Sequence, residues 1–536
     1  MPQGSPLHSL PNASRLLRRA LRAYAEGEFG KAERLCNAVL QHDARNFDAM
    51  HTLGQIHLRR GRLDTALALV QAALHTDLDR GDGFATLGTI FHALRRPKEA
   101  LKSYQTALDL APNDADLLNR CGVALLDLGR PQEALDYFDR LLAANPANLD
   151  ALGNRGNALV MLNRQTEALG TYERALEHAP DNAQLLTNRA VVLRRLDRPR
   201  EALMCASRAL VSRPHFAQAR FVESVARLTL GDFKQGWRGY ETRWDVGFLA
   251  SQRRTFTAPL WLGAPSLAGK AILLHAEQGF GDTLQFVRYA PLLAKRGAKV
   301  ILELPPALSR LLCALPGIDV VLIRGDALPR FDFHCPLMSL PLAFGTELET
   351  IPAVIPYIAP AAEDVAAWRA RLSARGPLIG LVWSGEPSHD NDLNRSMRLA
   401  TLLPLLDLRD MTFVSLQHEV RESDAGVLRE HPEILRIGDQ FGDFADTAAA
   451  IAVLDVVVAV DTAVAHLAGA IGKPVFILLP FAADFRWLRE RTDSPWYPTA
   501  RLFRQPRFGD WTSVVDAVRA ALVCGTQLPS RLARSA

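Results

Sequence analysis

Two glycines and an acid follow a short apolar run in the second half of the sequence. The run Ala271–Ala276 ends at the string EQGFGDT, and a helix-like pattern begins at Thr283. Gly279 and Gly281 would let the backbone turn tightly and approach a ligand closely. The amino end of the following helix would attract an anion. Asp282 has a competing interpretation here, that of a helix N-cap.

A second apolar run, Val456–Val460, leads into the string DTAVAHLAGAIGKP. Asp461 and Thr462 can cap the helix that follows, and its free N–H groups, beginning near Ala463, would face any ligand in a cleft. His466 lies one helical turn beyond Thr462 and on the same face. His466 alone is better explained as a structural histidine, whereas the whole string favours a binding site.

A polar loop follows a third apolar run, Leu378–Trp383. It begins with Ser384 and Gly385, continues through His389 and reaches Arg395. Such a loop suits phosphate groups or sugar hydroxyls, and Arg395 is a candidate cation for a leaving diphosphate. The alternative is a solvated surface loop.

Two weaker signals complete the set. Gln417 follows the strand-like run Thr412–Ser415 and would meet a base or a ribose. The segment Asp390–Asp392 spells DxD, a pattern that holds a metal in some glycosyltransferases, but Asp77–Asp79 spells it too. We therefore expect no metal site and no cofactor.

Alternating strands and helices must position these residues. The alternation from Lys270 onward predicts parallel sheets with crossover helices. It forms two series separated by the proline-rich Pro352–Pro360, a suitable hinge. We predict one α/β lobe over 269–360 and a second over 361–525, each Rossmann-like, with a tail at 526–536. Ligands of such sheets sit beyond the carboxyl ends of the strands.

The first half of the sequence is periodic. Alanine recurs every 34 residues from Ala32 to Ala202, proline from Pro112 to Pro214, and glycine from Gly54 to Gly156. A period of this length predicts stacked helix pairs that bury a continuous core only together. We predict an α solenoid over 14–246 with about seven repeats, the last one degenerate, and a linker or docking segment over 247–268.

The last repeat and the inner face of the solenoid carry candidate contact residues. The aromatics around Trp237 either cap the solenoid or dock the next domain, and both roles are compatible. The four asparagines of the predicted groove fall on the first helix of successive repeats, where asparagine is a poor helix former; they are Asn119, Asn154, Asn157 and Asn188. They either grip a partner peptide or are solvated surface.

Composition excludes several classes of protein. The 62 basic and 58 acidic residues are too balanced to indicate nucleic acid or an anionic membrane as partner. No run is long and apolar enough for a membrane span. The six cysteines have no CxxC spacing, which favours reduced thiols and a cytoplasmic location.

The repeat pattern resembles the tetratricopeptide-repeat (TPR) family, and the two strings at Gly281-Asp282 and Asp461–Pro474 resemble the signature regions of glycosyltransferase family 9, the lipopolysaccharide heptosyltransferases. The second resemblance covers about 269–522. Joining of the two parts is similar to O-GlcNAc transferase, and the whole resembles bacterial TPR proteins with a family-9-like domain. The resemblance implies a GT-B fold, in which two α/β lobes flank a cleft.

The resemblance also implies roles. The chemistry would be a metal-independent, inverting transfer from a nucleotide-diphospho-sugar to a protein or glycan acceptor that the repeats select. Asp282 would be the general base. The helix opened by Asp461 would hold the diphosphate, Arg395 or Lys473 would neutralise the leaving group, and His466 would line the nucleotide pocket. The alternative is a non-catalytic TPR scaffold or a nucleotide-sugar sensor. The sequence leaves the donor, the acceptor and the oligomeric state open.

Overall fold

The computed structural model describes residues 10–372 and 376–525, so the predicted tail at 526–536 lies outside the described residues. The chain begins with a helical solenoid and continues into an α/β region with parallel sheets. Its solenoid helices are α1 Leu10–Ala25, α2 Phe29–His42, α3 Phe47–Arg59, α4 Leu63–Leu74, α5 Gly81–Ala93, α6 Pro97–Leu110, α7 Ala115–Asp127, α8 Pro131–Ala144, α9 Leu149–Met161, α10 Gln165–His178, α11 Ala183–Arg195, α12 Pro199–Ser212, α13 Ala217–Thr229 and α14 Phe233–Tyr240.

The 34-residue period follows from the contact between the two helices of a repeat. Gly156 on α9 lies so close to Tyr172 on α10 that a Cβ at Gly156 would be 2.4 Å from the ring. Gly122 has the same relation to Phe138 one repeat earlier, at 2.5 Å. The glycine makes room for the aromatic ring, and both rings are almost fully buried. The repeated glycine and aromatic are thus the two sides of one packing contact.

The chain divides into two compact units. The first extends to Val192, inside α11, and the second begins at Leu193. The second unit therefore contains the last solenoid helices as well as the α/β region. No helix among the described residues has both the length and the apolar character needed to cross a membrane.

In the described part of the α/β region there are ten strands and twelve further helices. The strands are β1 Ala271–His275, β2 Lys299–Leu304, β3 Val320–Ile323, β4 Phe333–Pro336, β5 Leu378–Val382, β6 Thr412–Ser415, β7 Leu435–Arg436, β8 Val456–Val460, β9 Val475–Leu479 and β10 Ala500–Arg504. The helices are α15 Gly247–Ser251, α16 Phe280–Phe286, α17 Ala290–Lys295, α18 Pro306–Leu312, α19 Leu340–Ala343, α20 Ala362–Arg371, α21 Asp392–Arg395, α22 Leu399–Leu402, α23 Glu422–Glu430, α24 Phe444–Val453, α25 Ala463–Ala470 and α26 Trp511–Val523. Short 3-10 helices cover Glu241–Asp245, Val287–Tyr289, Leu337–Ser339, Leu348–Thr350, Leu403–Asp407, Gly438–Gln440 and Phe485–Trp487.

The strands form two parallel sheets. Sheet A has the order β3-β2-β1-β4, and sheet B has the order β10-β9-β8-β5-β6-β7. In sheet B the chain runs outward from β5 through β6 to β7, then returns to β8 on the other side of β5. The strand order therefore reverses between β5 and β8. Every residue of these two strands is buried, as expected for strands covered on both faces.

The predicted hinge Pro352–Pro360 lies against helices that follow strands of both sheets. The Tyr357 N–H donates to the carbonyl of Ala470 on α25 at 3.0 Å. The Tyr357 hydroxyl donates to the carbonyl of Leu284 on α16 at 2.8 Å. Hydrogen bonds from one residue thus anchor this segment to helices that follow strands of both sheets.

The aromatics of the last repeat dock on the α/β region. Trp237 on α14 is 1% exposed and meets Phe286 of α16 and Phe485 beyond β9 edge-on, at 5.8 and 5.6 Å between ring centroids. Phe233 stacks on Trp496 at 6.3 Å. Of the two roles predicted for these aromatics, the packing supports docking on both sheets' helices and loops.

The segment 247–268 is docked as well. Leu260 forms an isolated parallel bridge with His334 of β4. The Trp261 N–H donates to the His334 carbonyl at 2.8 Å, and its buried indole donates to the Pro265 carbonyl at 2.9 Å. Of the two predicted roles, linker or docking segment, this pairing supports the second.

Candidate functional site

The carboxyl ends of β5 and β8 lie side by side at the point where the strand order of sheet B reverses. Val382 of β5 is in register with Ala459 of β8. Ser384 and Gly385 follow one strand, and Asp461 follows the other. Parallel sheets bind ligands at such a crevice. Two of the predicted strings therefore meet at the expected edge.

Arg395 is the main cation of this crevice. Its side chain is 14% exposed, and it donates to the backbone carbonyl of Asp461 at 3.2 Å. Its nearest carboxylate oxygen belongs to Asp392 and lies 3.9 Å away, beyond hydrogen-bonding distance. The buried Arg395 Nε has no hydrogen-bond partner among the described residues. Burial lowers the pKa of the guanidinium, and an anionic ligand would offset that cost.

Glycine at position 385 makes this placement of Arg395 possible. A Cβ there would lie 2.6 Å from Arg395 Nη2. The Gly385 N–H donates to the Ser396 hydroxyl at 3.0 Å, which fixes the loop beside the guanidinium. Gly385 thus acts through a close approach of backbone and side chain rather than through a positive φ angle.

Two buried hydroxyls at the same strand ends have no hydrogen-bond partner in the part of the chain that the structure describes. Ser384 is 2% exposed, and its Oγ makes no hydrogen bond among the described residues. Thr462 Oγ1 is likewise buried and unpaired, although Thr462 is the N-cap residue of α25. Buried polar atoms are rarely left unsatisfied, so each such atom calls for a physical reason. Hydrogen bonds to a bound ligand would supply one.

Gln417 holds the end of β5 in place. Its Oε1 accepts from the Ser384 N–H at 3.3 Å, and its Nε2 donates to the Ser384 and Glu419 carbonyls at 3.0 and 3.1 Å. Both ends of the amide are therefore engaged with the backbone. The predicted contact between Gln417 and a base or ribose remains a prediction, and the structure places this amide in support of Ser384.

Asp282 of the first string reaches residues that follow sheet B. Its Oδ2 accepts the Gly279 N–H at 2.9 Å, which is a capping interaction at the start of α16. Its Oδ1 accepts from Arg486 Nη2 at 2.6 Å. Asp282 is thus both a capping residue and half of a largely buried ion pair, with the two side chains 14% and 12% exposed.

Gly281 and His466 bring the two strings into contact. A Cβ at Gly281 would lie 2.8 Å from His466 Cδ2 and 3.6 Å from the Cα of Ala463. Glycine is therefore needed at 281 for α16 to approach α25. A tight turn and the close approach of a ligand are the predicted reasons for the two glycines, whereas at Gly281 the close neighbour is a helix.

His466 is buried in an aromatic cage. Its ring stacks on Trp487 at 5.2 Å, and its Nδ1 is 2.9 Å from the Tyr497 hydroxyl. Burial lowers the pKa of His466 well below its usual range, so the imidazole is neutral. Its Nε2 lies 3.9 Å from Asp461 Oδ1, and burial raises the pKa of that carboxyl. These contacts match the structural interpretation of His466 taken alone.

The structure does not bring Lys473 to this cluster. Its Nζ donates to the carbonyl of Leu454 at 2.7 Å. Leu454 precedes β8, so this contact lies at the amino end of the strand, whereas Asp461 follows the carboxyl end. Of the two cations predicted for the leaving group, Arg395 is the one positioned in the crevice.

Two arginines of the site were not predicted from the sequence. Arg421 donates to the Asp392 carboxylate at 2.6 Å and to the Gly385 carbonyl at 3.0 Å, so it braces the loop that carries Arg395. Arg486 follows β9 and pairs with Asp282. The signal for Arg486 was its position shortly after a buried strand, the same rule that selected Asp461.

The solenoid asparagines are joined to each other. Asn154 donates to Asn119 at 2.9 Å, from one repeat to the preceding one. Asn188 donates to Asn157 at 3.1 Å, and Asn157 also accepts from the Tyr172 hydroxyl at 2.7 Å. The four amides thus form two pairs that connect first helices of successive repeats. Their predicted contact with a peptide remains a prediction.

Profiles described as tetratricopeptide repeats match residues 23–87, 86–148, 120–183 and 171–204. These ranges coincide with the helix pairs α2–α12. The helical half is an array of tetratricopeptide repeats. TPR arrays are binding modules, so the repeats indicate protein partners.

The match to one curated relative covers more of this chain than the repeats do. The chain is 27% identical over 336 residues to Protein FlbA of Caulobacter vibrioides, across 57% of this chain. It spans only about half of that relative's length, 55%.

Two solved structures are similar to part of this chain. The TPR protein YrrB, whose structure was described as having an unusual peptide-binding site, is 22% identical over 34% of this chain and 95% of its own, with a TM-score of 0.31. A tetratricopeptide repeat protein from Parabacteroides merdae is 17% identical over 45% of this chain and 95% of its own, with a TM-score of 0.39.

Proposed function

We propose that the α/β region is an inverting, metal-independent glycosyltransferase with a GT-B arrangement of two Rossmann-like lobes. It would move a sugar from a nucleotide-diphospho-sugar to a protein or glycan acceptor bound by the TPR repeats. The order of sheet B, in which strands run outward on both sides of the β5–β8 pair, is that of a doubly wound nucleotide-binding sheet and supports this proposal.

One observation carries the proposal. Arg395 is a largely buried guanidinium at the β5–β8 crevice, and the described residues offer its Nε no hydrogen-bond partner and its side chain no carboxylate within hydrogen-bonding distance. The unpaired hydroxyls of Ser384 and Thr462 lie at the ends of the same two strands. A diphosphate offers the charge and the acceptor oxygens that these groups lack. The cation would stabilise the charge that develops on the leaving diphosphate.

Asp282 is the candidate general base of this reaction. The acceptor oxygen would attack the anomeric carbon of the sugar while the bond from that carbon to the diphosphate oxygen breaks. The electron pair of that bond leaves with the nucleoside diphosphate, and the acceptor proton moves to the Asp282 carboxylate. The contacts from Asp282 to Arg486 and from Gly281 to His466 support placing this acid at the cleft between the lobes.

A non-catalytic scaffold or nucleotide-sugar sensor is the second candidate. The observation that favours it is the occupancy of both Asp282 oxygens, by the Gly279 amide and by Arg486. Each contact uses one lone pair of the carboxylate and fixes its position, which restricts how an acceptor hydroxyl can approach it.

Thermal-shift measurements on the full chain test the proposal. The ligands are UDP, GDP, CDP and ADP and their sugar conjugates, and the proteins are the wild type, Arg395→Gln, Asp282→Asn and the surface control Arg491→Gln. A ligand at about 100 times its Kd stabilises the folded state by roughly 2.7 kcal/mol. We expect one nucleotide class to stabilise the wild type, the control and Asp282→Asn, and to lose most of its effect on Arg395→Gln.

Turnover separates the two candidates. With the stabilising nucleotide sugar and a cell extract as the source of acceptors, an enzyme releases the nucleoside diphosphate and labels an acceptor. Loss of the base should slow Asp282→Asn by about 10²–10⁴-fold. Binding with no transfer to any acceptor would favour the sensor, and no binding at all would favour the scaffold.

A further inference from the structure

The ion pair between Asp282 and Arg486 joins the segment after β1 of sheet A to the segment after β9 of sheet B. Arg486 Nη2 is 2.6 Å from Asp282 Oδ1, and both side chains are largely buried. The residue with the best claim to act as a base is therefore held by a cation from the opposite lobe.

Arg486 also has other electrostatic neighbours. Its Nε is 3.3 Å from Asp484 Oδ1, yet this buried nitrogen makes no hydrogen bond among the described residues. Burial alone would lower the pKa of Arg486, but the carboxylates of Asp484, Asp282 and Asp461 raise it above its usual range. Arg486 stays a cation, so its pair with Asp282 is broken by movement or by a competing anion rather than by deprotonation.

The competing anion has a place to bind. Arg395 and the Asp282–Arg486 pair both lie at the start of α25. Arg395 donates to the Asp461 carbonyl at 3.2 Å, and a Cβ at Gly281, next to Asp282, would be 3.6 Å from the Cα of Ala463. The positive charge of Arg486 also contributes to the lowered pKa of Arg395. Among the described residues, neither Arg395 nor Arg486 has a hydrogen-bond partner for its buried Nε, so both largely buried guanidiniums would gain from an anion that contacts the two. Arginine recognises phosphate oxygens through parallel N–H bonds, so a diphosphate is suited to this role.

We propose that Arg486 couples donor binding to release of the base. It pairs with Asp282 until the diphosphate of a nucleotide sugar binds at Arg395, and it then moves from the carboxylate to the diphosphate. Asp282 is thereby freed to accept the proton of the acceptor hydroxyl. Arg486 is a positioning residue for the base and a binding residue for the donor. This inference rests on the proposed function of the same crevice.

Competition between Asp282 and the anion for Arg486 predicts the direction in which anion affinity changes when the Asp282 charge is removed. Because Asp282 and the anion share one guanidinium, removing the Asp282 charge should strengthen anion binding, by about tenfold within the usual range of coupling between sites. A static ion pair that only orders Arg486 predicts the opposite, since Asp282→Asn would loosen a residue that the anion needs.

The experiment is a double-mutant cycle on the full chain. Isothermal titration calorimetry measures the Kd of inorganic pyrophosphate, UDP, GDP, CDP and ADP for the wild type, Asp282→Asn, Arg486→Gln and the double variant. We expect tighter binding in Asp282→Asn, weaker binding in Arg486→Gln, and no gain from Asp282→Asn in the Arg486→Gln background. The last result separates competition for Arg486 from a general loss of negative charge, which would strengthen binding in both backgrounds.

The outcomes also separate this inference from the proposed function. Binding by the wild type that Asp282→Asn leaves unchanged or weakens overturns the coupling and leaves the diphosphate site standing. A gain that persists without Arg486 overturns it as well. No binding of any of these anions by the wild type overturns both. Circular dichroism checks that each variant folds, and Asp282→Ala replaces Asp282→Asn if the latter does not.

Discussion

Arg243 and Glu277 form a bidentate ion pair in the interior of the second unit. The Arg243 Nε and Nη2 donate to the two Glu277 oxygens at 2.9 and 2.7 Å, and their side chains are 0% and 3% exposed. Arg243 also donates to Glu241 and Ser339 at 2.7 Å. The pair ties the 3-10 helix after the last repeat to the strand end that begins the EQGFGDT string.

Removing one partner of this pair should be costly. Arg243→Leu would leave Glu277 buried without its counter-charge, and we expect a loss of about 3–5 kcal/mol from the unfolding free energy. Arg491→Ala, which breaks an ion pair with Asp493 near the surface, should cost no more than about 1 kcal/mol. Guanidinium-induced unfolding of the second unit compares them. Equal losses of unfolding free energy in the two variants would contradict a stabilising role for the buried Arg243–Glu277 pair.

Two glycines of one repeat should respond to alanine with opposite signs. Gly156→Ala places a Cβ 2.4 Å from the Tyr172 ring and should destabilise the solenoid by about 1–3 kcal/mol. Gly170 lies on exposed helix surface with nothing within 4 Å of a new Cβ, so Gly170→Ala should stabilise it by up to about 1 kcal/mol. Thermal unfolding followed by circular dichroism measures both. A loss in Gly170→Ala would count against this account of the repeat.

Aromatic rings join the last repeat to the α/β region, and we call this cluster the aromatic junction; it consists of Phe233, Trp237, Phe286, Phe485 and Trp496. Within it, substitution of Trp237 should lower stability the most. Trp237→Ala removes a ring that contacts Phe286 and Phe485, and the cavity should cost about 3–5 kcal/mol. Hydrogen exchange should then increase in α14, in α16 and around Phe485. Phe138→Ala, a comparable deletion inside the first unit, should increase exchange in α7 and α8. If Trp237→Ala changed α14 alone, the ring would not be joining these segments.

Acid should destabilise the protein partly through His275. This histidine is 4% exposed, and burial together with the neighbouring His334 lowers its pKa to about 3. The unfolded chain takes up a proton near pH 6.5, so stability present above that pH is lost as the pH falls towards about 3. The slope is about 1.4 kcal/mol per pH unit for one such group.

The variant His275→Gln keeps a polar side chain beside His334 and cannot take up this proton. Its unfolding free energy should therefore fall less steeply than that of the wild type between pH 6 and pH 4. Denaturant unfolding at intervals across this range compares the two slopes. If the unfolding free energies of the two proteins changed with pH in parallel, His275 would be protonated equally in the folded and unfolded states, which would contradict the prediction.

The parts of this fold that could be predicted are those with a strong local pattern. The 34-residue period is visible because each repeat needs the same contact, as between Gly156 and Tyr172. The run Val456–Val460 is visible as a strand because it is apolar throughout. The two-residue β7 at the sheet edge has both residues exposed, so no apolar pattern marks it. In β10, Arg501 and Arg504 interrupt the apolar run.

The candidate site was predictable only in part, for a related reason. Strand ends point to Ser384, Asp461 and Asp282, because the carboxyl edge of a parallel sheet follows from strand order. Arg486 and Arg421 are two among 62 basic residues, and neither follows its strand directly, so position after a strand does not single them out. Their partners are set by packing between segments that are far apart in the chain, which local pattern does not contain.

The aromatic junction determines where the repeats could be exchanged for those of another protein. By sequence period Trp237 belongs to the repeats, but its contacts at Phe286 and Phe485 make it a part of the α/β core. In a chimera whose whole repeat array came from another protein, Trp237 would be lost, and Phe286 and Phe485 would lose their contacts with it. A crossover near Leu193, where the second unit begins, keeps the last helix pair together with the sheets.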